Sequence, residues 1–293
     1  MKQGFQKKCI CILLVLAFGI LTLTACSSSP QETGSQATDP SETEEVEVRQ
    51  VTIGVVPAFK PITYADDDGR ATGYDVEVFR KIDEMLPEYE FTYEMADKET
   101  VNIGIETGRY IAGLNGFYRT AEREEKFLFT DNVLGYNRIS LIVKEDNDDI
   151  HGFADIAGQE IAPITSSSGM FALLRGWNDA NPGQEVLFTS QSANPRAEKL
   201  GSVRSGQYIA CLEMTDIFLQ IEDESIVGGL KAIIPPVGVL PTYPLINKDE
   251  VEFCEKVNEA LAELRENGTL SEISMEFYND DVFTYPPTDF MEG

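Results

Sequence analysis

Arg123 stands three residues after Thr120, and Thr165-Ser166-Ser167-Ser168-Gly169 precedes a helical stretch. Both arrangements suit an anion. A guanidinium presents a planar two-donor fork that matches a carboxylate. Thr120 would cap a helix beginning at that point, and helix N-termini favour negative charge. The hydroxyls and free N–H groups of the Ser-rich turn could grip an anion from another side. Plain N-capping by Ser167 or Ser168 is compatible with the same residues. On composition alone, Arg123 would more readily pair with Glu122 or Glu125 on a solvated face. Asn115-Gly116 reads as a turn.

Other chemistries are poorly provided for. His151 is the one histidine in the sequence, and no Cys/His cluster has metal-ligand spacing. No metal and no cofactor is therefore expected. An acid/base mechanism would need a carboxylate beside a cleft. Glu94, Asp97 and Glu213 are the candidates, each equally readable as solvated or structural, and no catalytic residue is assigned. The net charge of −27 argues against nucleic acid, whose phosphates require a Lys/Arg surface. It equally disfavours direct binding to anionic lipid.

The first residues have the order that export requires. Lys2, Lys7 and Lys8 precede an apolar run from Cys9 to Leu23, and small residues follow. The run is short for a membrane span, which disfavours an uncut anchor. Leu23-Thr24-Ala25-Cys26 resembles the lipobox of bacterial lipoproteins. That resemblance implies a leader over 1–25, diacylglycerol on the Cys26 thiol, and Cys26 as the mature first residue. Two acyl chains suffice for stable attachment. Residues 26–48 read as a tether, rich in Ser, Thr, Gln and Glu and too poor in apolar side chains to fold. Of the five cysteines, Cys211 and Cys254 belong to the folded part. They read as two separate buried thiols, although an oxidising compartment would permit a pair.

The remaining chain predicts alternating strands and helices. Val51 to Val56 is a β-branched strand, and Asp66 to Gly69 a hairpin turn. Apolar residues at 76, 79, 82 and 86 have helical period, with Asp75 as the cap. A strand over 89–93, a helix over 100–107 and a strand over 110–114 follow. This order implies a mainly parallel sheet covered by helices. The grammar repeats, with strands over 160–164, 186–189, 208–212 and 230–234, and helices over 169–178, 196–203 and 216–221. Residues 49–138 thus form one lobe and 139–234 a second. Residues 235–293 return to the first through a helix over 250–266. Two crossings make a hinge with a cleft between the lobes, a preferred place for a small ligand.

Four segments then carry a resemblance. They are Gly73-Tyr74-Asp75-Val76-Glu77-Val78, Thr120-Ala121-Glu122-Arg123 with Phe127 and Phe129-Thr130-Asp131, Phe153 to Gly158, and Val257-Asn258 through Gly268-Thr269-Leu270. In this order the chain resembles the extracellular solute-binding proteins, family 3, of polar amino acid ABC importers, over about Val51 to Phe283. The resemblance implies an α/β, two-lobed, periplasmic-binding-protein-like (type II) fold. It implies a lipid-anchored monomer outside the cell membrane that captures a small polar solute, an amino acid above all. The lobes would close on it and deliver it to a membrane permease, without any enzymatic step. It implies Arg123 on the solute carboxylate, with Asn115, Gly116 and Tyr118 along the cleft and Phe59 against the solute side chain. Ser167 and Ser168 would reach in from the second lobe. Relatives hold the ammonium with an Asp where this chain has Met214. Glu213 is the first candidate to replace it and Asp216 the second. Other functions on this fold are an exported enzyme similar to cyclohexadienyl dehydratase and a sensory lipoprotein without a transporter.

Overall fold

The computed structural model describes residues 48–57, 60–166, 168–192 and 195–288. All lie within one compact unit, Val46–Gly293. Leader, lipobox Cys26 and nearly all of the tether lie outside the described residues, as do Phe59 and Ser167. Among the described residues no helix is long and apolar enough to cross a membrane.

The first half is built on β1 (Arg49–Val55), whose residues from Val51 onward are mostly buried. A hairpin follows, with β2 (Tyr64–Ala65) antiparallel to β3 (Ala71–Thr72). Helix α1 (Tyr74–Met85) buries Val76, Phe79 and Ile82, and Leu86 follows at its end, so the periodic expectation holds. Its start differs from the expected one. The N-cap is Gly73 and Asp75 lies inside the helix. The Tyr74 and Asp75 N–H groups donate to the carbonyls of Pro61 and Ile62, at 2.9 and 3.2 Å. Backbone acceptors therefore satisfy the first turn and free the Asp75 carboxylate for another bond.

Next come β4 (Tyr89–Met95), α2 (Lys98–Glu106), β5 (Ala112–Phe117), α3 (Ala121–Lys126) and β6 (Phe127–Leu128). β1 pairs in parallel with β4 on one edge and β5 on the other. The second half begins on β7 (Gly135–Lys144) and runs through a 3-10 turn at Phe153–Ile156. Then come β8 (Ile164–Thr165), α4 (Gly169–Ala180), β9 (Ser190–Gln191), α5 (Arg196–Ser205), β10 (Cys211–Met214), α6 (Thr215–Leu219), α7 (Glu224–Val227) and β11 (Leu230–Ala232). The chain returns along β12 (Gly238–Asn247) into α8 (Val251–Glu266) and α9 (Thr269–Tyr278).

The strand expected over 160–164 is broken. Leu187, Ile161 and Ile164 donate parallel-type hydrogen bonds to Gln159, Leu187 and Thr189. Between them Pro163 has no N–H to donate, so a two-residue ladder of β8 and β9 remains. β10 and β11 instead run antiparallel to β7. The second half is therefore not the mainly parallel sheet that its alternating elements suggest, because the crossing strand itself supplies the partner.

One sheet spans both halves, in the order β10-β7-β12-β5-β1-β4. Gly238 to Thr242 pair antiparallel with Ile139 to Gly135, which makes the two crossings neighbours. One core gathers β1, α1, α8 and α9 around Ile53, Phe79, Phe253 and Leu261. Another gathers Ile139, Leu141 and Val143 of β7 with Leu173, Leu174 and Leu240. Met214 packs against both. Cys211 and Cys254 are free and buried on β10 and α8.

Arg138 sits in the crossing and is 5% exposed. Its guanidinium donates to Asp216 of α6 and Asp280, and to the Tyr285 hydroxyl at 3.0 Å. Removing one member of a buried ion pair strands the other in low dielectric. Arg138→Leu is expected to lower unfolding free energy by about 3–5 kcal/mol, read from urea unfolding midpoints. Adding Asp216→Leu should recover much of that. A single-variant loss under about 1 kcal/mol would show that the pair is not holding the crossing.

Candidate functional site

The first site element is the end of β5. Gly116 has φ +56, in the left-handed region. A Cβ there would meet the Asn137 amide and Ile62 at 3.2 Å, so the chain turns here with no side chain. The Gly116 N–H donates to Asp75 Oδ2 at 2.7 Å. Asp75 is 1% exposed. Burial pushes its carboxyl up to about 7, against the opposing pull of that N–H bond. Beside the turn, Asn115 Oδ1 is buried without a hydrogen-bond partner.

Tyr118 follows β5 but packs in the second core. A Cβ on Gly169 would lie 2.7 Å from its ring, so this glycine admits the Tyr118 ring against the start of α4. The Tyr118 hydroxyl accepts from Asn137 Nδ2 at 3.0 Å. Its carbonyl accepts from Arg123 at 2.6 Å.

Thr120 is the N-cap of α3 and accepts the Arg123 N–H at 3.3 Å, as the sequence suggested. Arg123 lies over the Phe117 ring, 5.3 Å from its centroid. Among the described residues no carboxylate forms an ion pair with it. The solvated pairing with Glu122 or Glu125 that composition alone would favour is absent, and Glu122 acts only as a nearby charge. Burial pushes the guanidinium below its usual range.

Arg123 opens onto a cavity of about 380 Å³. Thr120, Lys98 and Asn102 line it from the first half, and Ser166, Ser168 and Gly169 from the second. Ser168 caps α4. Its hydroxyl accepts from the Phe171 N–H at 3.3 Å and donates to the Thr165 carbonyl at 2.7 Å. Capping thus occupies the side chain, while the first turn of α4 still faces the cavity.

The four acids that the sequence offered for the site are engaged elsewhere. Glu213 is 3% exposed and does not line this cavity. It accepts from Arg196 and Lys199, each at 3.0 Å, and from the Met214 N–H at 2.9 Å. Burial alone would raise its carboxyl, but Lys199 and Arg196 bring it below the usual range. Asp216 is bound to Arg138. Asp97 caps α2 through the Glu99 and Thr100 N–H groups, and Glu94 pairs with Arg109. Of the acid/base candidates, Asp97 is therefore a helix cap and Glu94 a member of an exposed ion pair, and neither lines this cavity.

Sequence reasoning passed over Lys98 and Asn102. It began α2 at Thr100 and left Lys98 in a loop. Asp97 two residues before Glu99 is the capping signal that would have moved the start.

Residues 51–280 match the profile of bacterial extracellular solute-binding proteins, family 3. The chain belongs to this family. The family 3 fold accounts for the two cores joined by two crossing strands. L-cystine-binding protein TcyK of Bacillus subtilis (strain 168) is 27% identical over 272 residues, covering 92% of this chain and 95% of that relative. TcyA of the same organism, also an L-cystine-binding protein, is 26% identical over 92% of this chain and 97% of its own length. The crystal structure of the probable amino-acid ABC transporter extracellular-binding protein ytmK from Bacillus subtilis superposes with a TM-score of 0.69. Its identity is 25%, over 80% of this chain and 99% of that one.

The buried Asp75 gives this family 3 chain a defined pH response. Its folded carboxyl holds a proton to about pH 7, against 3.8 for an ordinary one. Its stabilising contribution is full below the ordinary value and is lost as pH rises through about 7. Asp75→Asn keeps an oxygen for the Gly116 N–H and cannot ionise. It is expected to exceed the wild type by about 2–4 kcal/mol at pH 8, the gap closing toward pH 4. Unfolding midpoints across that range test this, and a gap independent of pH would contradict it.

Proposed function

We propose that this chain is the lipid-anchored solute receptor of an amino-acid ABC importer. The observation that carries the reading is Arg123. Its guanidinium is held by the Tyr118 carbonyl, borders a cavity lined from both halves, and has no carboxylate partner among the described residues. Such a group is prepared for a ligand carboxylate. The first turn of α4 adds a favourable field from the opposite wall.

The lobes in this reading are residues 49–138 with 235–293, and residues 139–234. They close about β7 and β12, and the closed form docks on the permease. Ser168 faces the solute across the cavity from Arg123, whereas Asn115, Gly116 and Tyr118 do not line that cavity and would reach the solute only as the lobes move; Phe59 and Ser167 remain candidates from the family resemblance. Glu213 was the first choice for the ammonium. Its bonds to Arg196 and Lys199 turn that role toward Asn115 Oδ1, which is buried without a hydrogen-bond partner although Asn115 does not line the cavity. The relatives' names support cystine as the first solute to test.

Cys26 anchors the monomer, and residues 26–48 keep it near its permease at high effective concentration. The lipobox is the support for this part. Expressed in a bacterium, the full chain should incorporate labelled palmitate, and Cys26→Ser should abolish the label. Labelling that persists in the variant would remove Cys26 as the anchor.

For the site, soluble protein is titrated with L-cystine and the proteinogenic amino acids. The bound solute should stabilise the fold by about 2.7 kcal/mol at a hundredfold excess over its Kd. Arg123→Ala should lose that shift. No shift with any of these compounds would sink the substrate class, and undiminished binding by the variant would remove Arg123 from the site.

A further inference from the structure

Lys98 lines the same cavity as Arg123, and stability does not explain it there. It occupies the first position of α2, where a cation opposes the helix dipole. Among the described residues no carboxylate pairs with it. The neighbouring Asp97 is taken up by the Glu99 and Thr100 N–H groups and the Thr100 hydroxyl. The third cation of the cavity, Lys126, has an acid at 3.6 Å, Glu106. Lys98 has Arg123 as its charged neighbour. Burial in the cavity wall, and then the Arg123 charge, press its ammonium below the usual range. The residue as a whole keeps solvent contact, as expected for a group at an open cavity. One turn further along the same helix face stands Asn102, also on the cavity, with its Oδ1 buried and unpartnered. Glu122 is also on this wall, without an ion pair to either cation, and Glu106 is the acid taken by Lys126, so two unpaired like charges and an unmatched acceptor face a space of about 380 Å³, within the usual range for small ligands.

We propose that Lys98 is a specificity-determining residue that receives a second carboxylate at the far end of the solute, while Arg123 receives the first. This rests on the solute-receptor reading above. The solute class is thereby an amino acid with two carboxylates. A bis-amino acid such as cystine and a short acidic one such as glutamate share that chemistry. For a bis-amino acid, Asn102 adds an acceptor near the second ammonium. The two cations then share two anions, and binding removes the repulsion between them.

The test compares ligands matched except for the second carboxylate, by calorimetric titration of the soluble chain. L-Cystine is set against the mixed disulfide of cysteine and cysteamine, and L-glutamate against L-glutamine. The expected result is a preference of roughly tenfold or more for the two-carboxylate member of at least one pair. The pair that shows it distinguishes the two solute types. Lys98→Gln should bring that preference to within about twofold by weakening the acidic ligand alone, and Lys98→Arg should retain it. Lys98→Gln removes a charge from an exposed first turn, so an unchanged or raised unfolding midpoint should accompany the loss. Equal binding within both pairs, or a preference that survives Lys98→Gln, would overturn the role of Lys98 and leave the receptor reading intact. No binding of any of the four compounds would overturn the proposal; no stabilisation by any amino acid is the separate failure of the receptor reading.

Discussion

The antiparallel pairing of Gly238–Thr242 with Gly135–Ile139 is the constraint on which the rest depends. It carries one sheet from the first core into the second. Beyond these paired strands the halves also interlock, with Tyr118 in the second core, Ile217 in the first and Met214 against both. The paired strands also have their own electrostatic clamp. Arg138 ties β7 to α6 and to Asp280 beyond α9. That clamp consumes Asp216, an acid that would otherwise stand near the cleft. Glu213 on β10 is consumed by Arg196 and Lys199 in the same way.

What remains around the cavity is a mixed wall, in which Glu106 is paired with Lys126 while Lys98 and Arg123 have no carboxylate within ion-pair distance among the described residues. The chain has 50 acidic and 23 basic residues, so acidic partners are plentiful. Against that background, two cations on one cavity without carboxylate partners are informative. Each desolvates at a cost that a folding contact would normally offset. The surrounding negative charge disfavours simple anions at long range. A zwitterion escapes that repulsion and still presents a carboxylate at short range.

Much of this was legible beforehand. The strand at Val51, the period of α1, the Thr120 cap and the return helix α8 are local patterns, and local sterics and hydrogen bonding enforce them. The errors have physical causes as well. Asp75 looks like a cap because Asp is a good one. Two carbonyls from Pro61 and Ile62 took that role, and a contact with residues before the helix start is invisible to a period argument. The second-half strands alternate with helices as a parallel sheet would. Pro163 interrupts one ladder, and the crossing strand β7 captures β10 and β11.

The sequence by itself determined the family, the alternation of elements, and Thr120 as the cap of the helix that carries Arg123. Those features depend on residue type and on neighbours a few positions away. Tertiary structure alone decided which charges are spent. Arg138 with Asp216 and Glu213 with Lys199 lie far apart or on different elements, and distance in space governs Coulomb energy and desolvation. The same folding that satisfied those acids left Arg123 without one, and set Lys98 beside it.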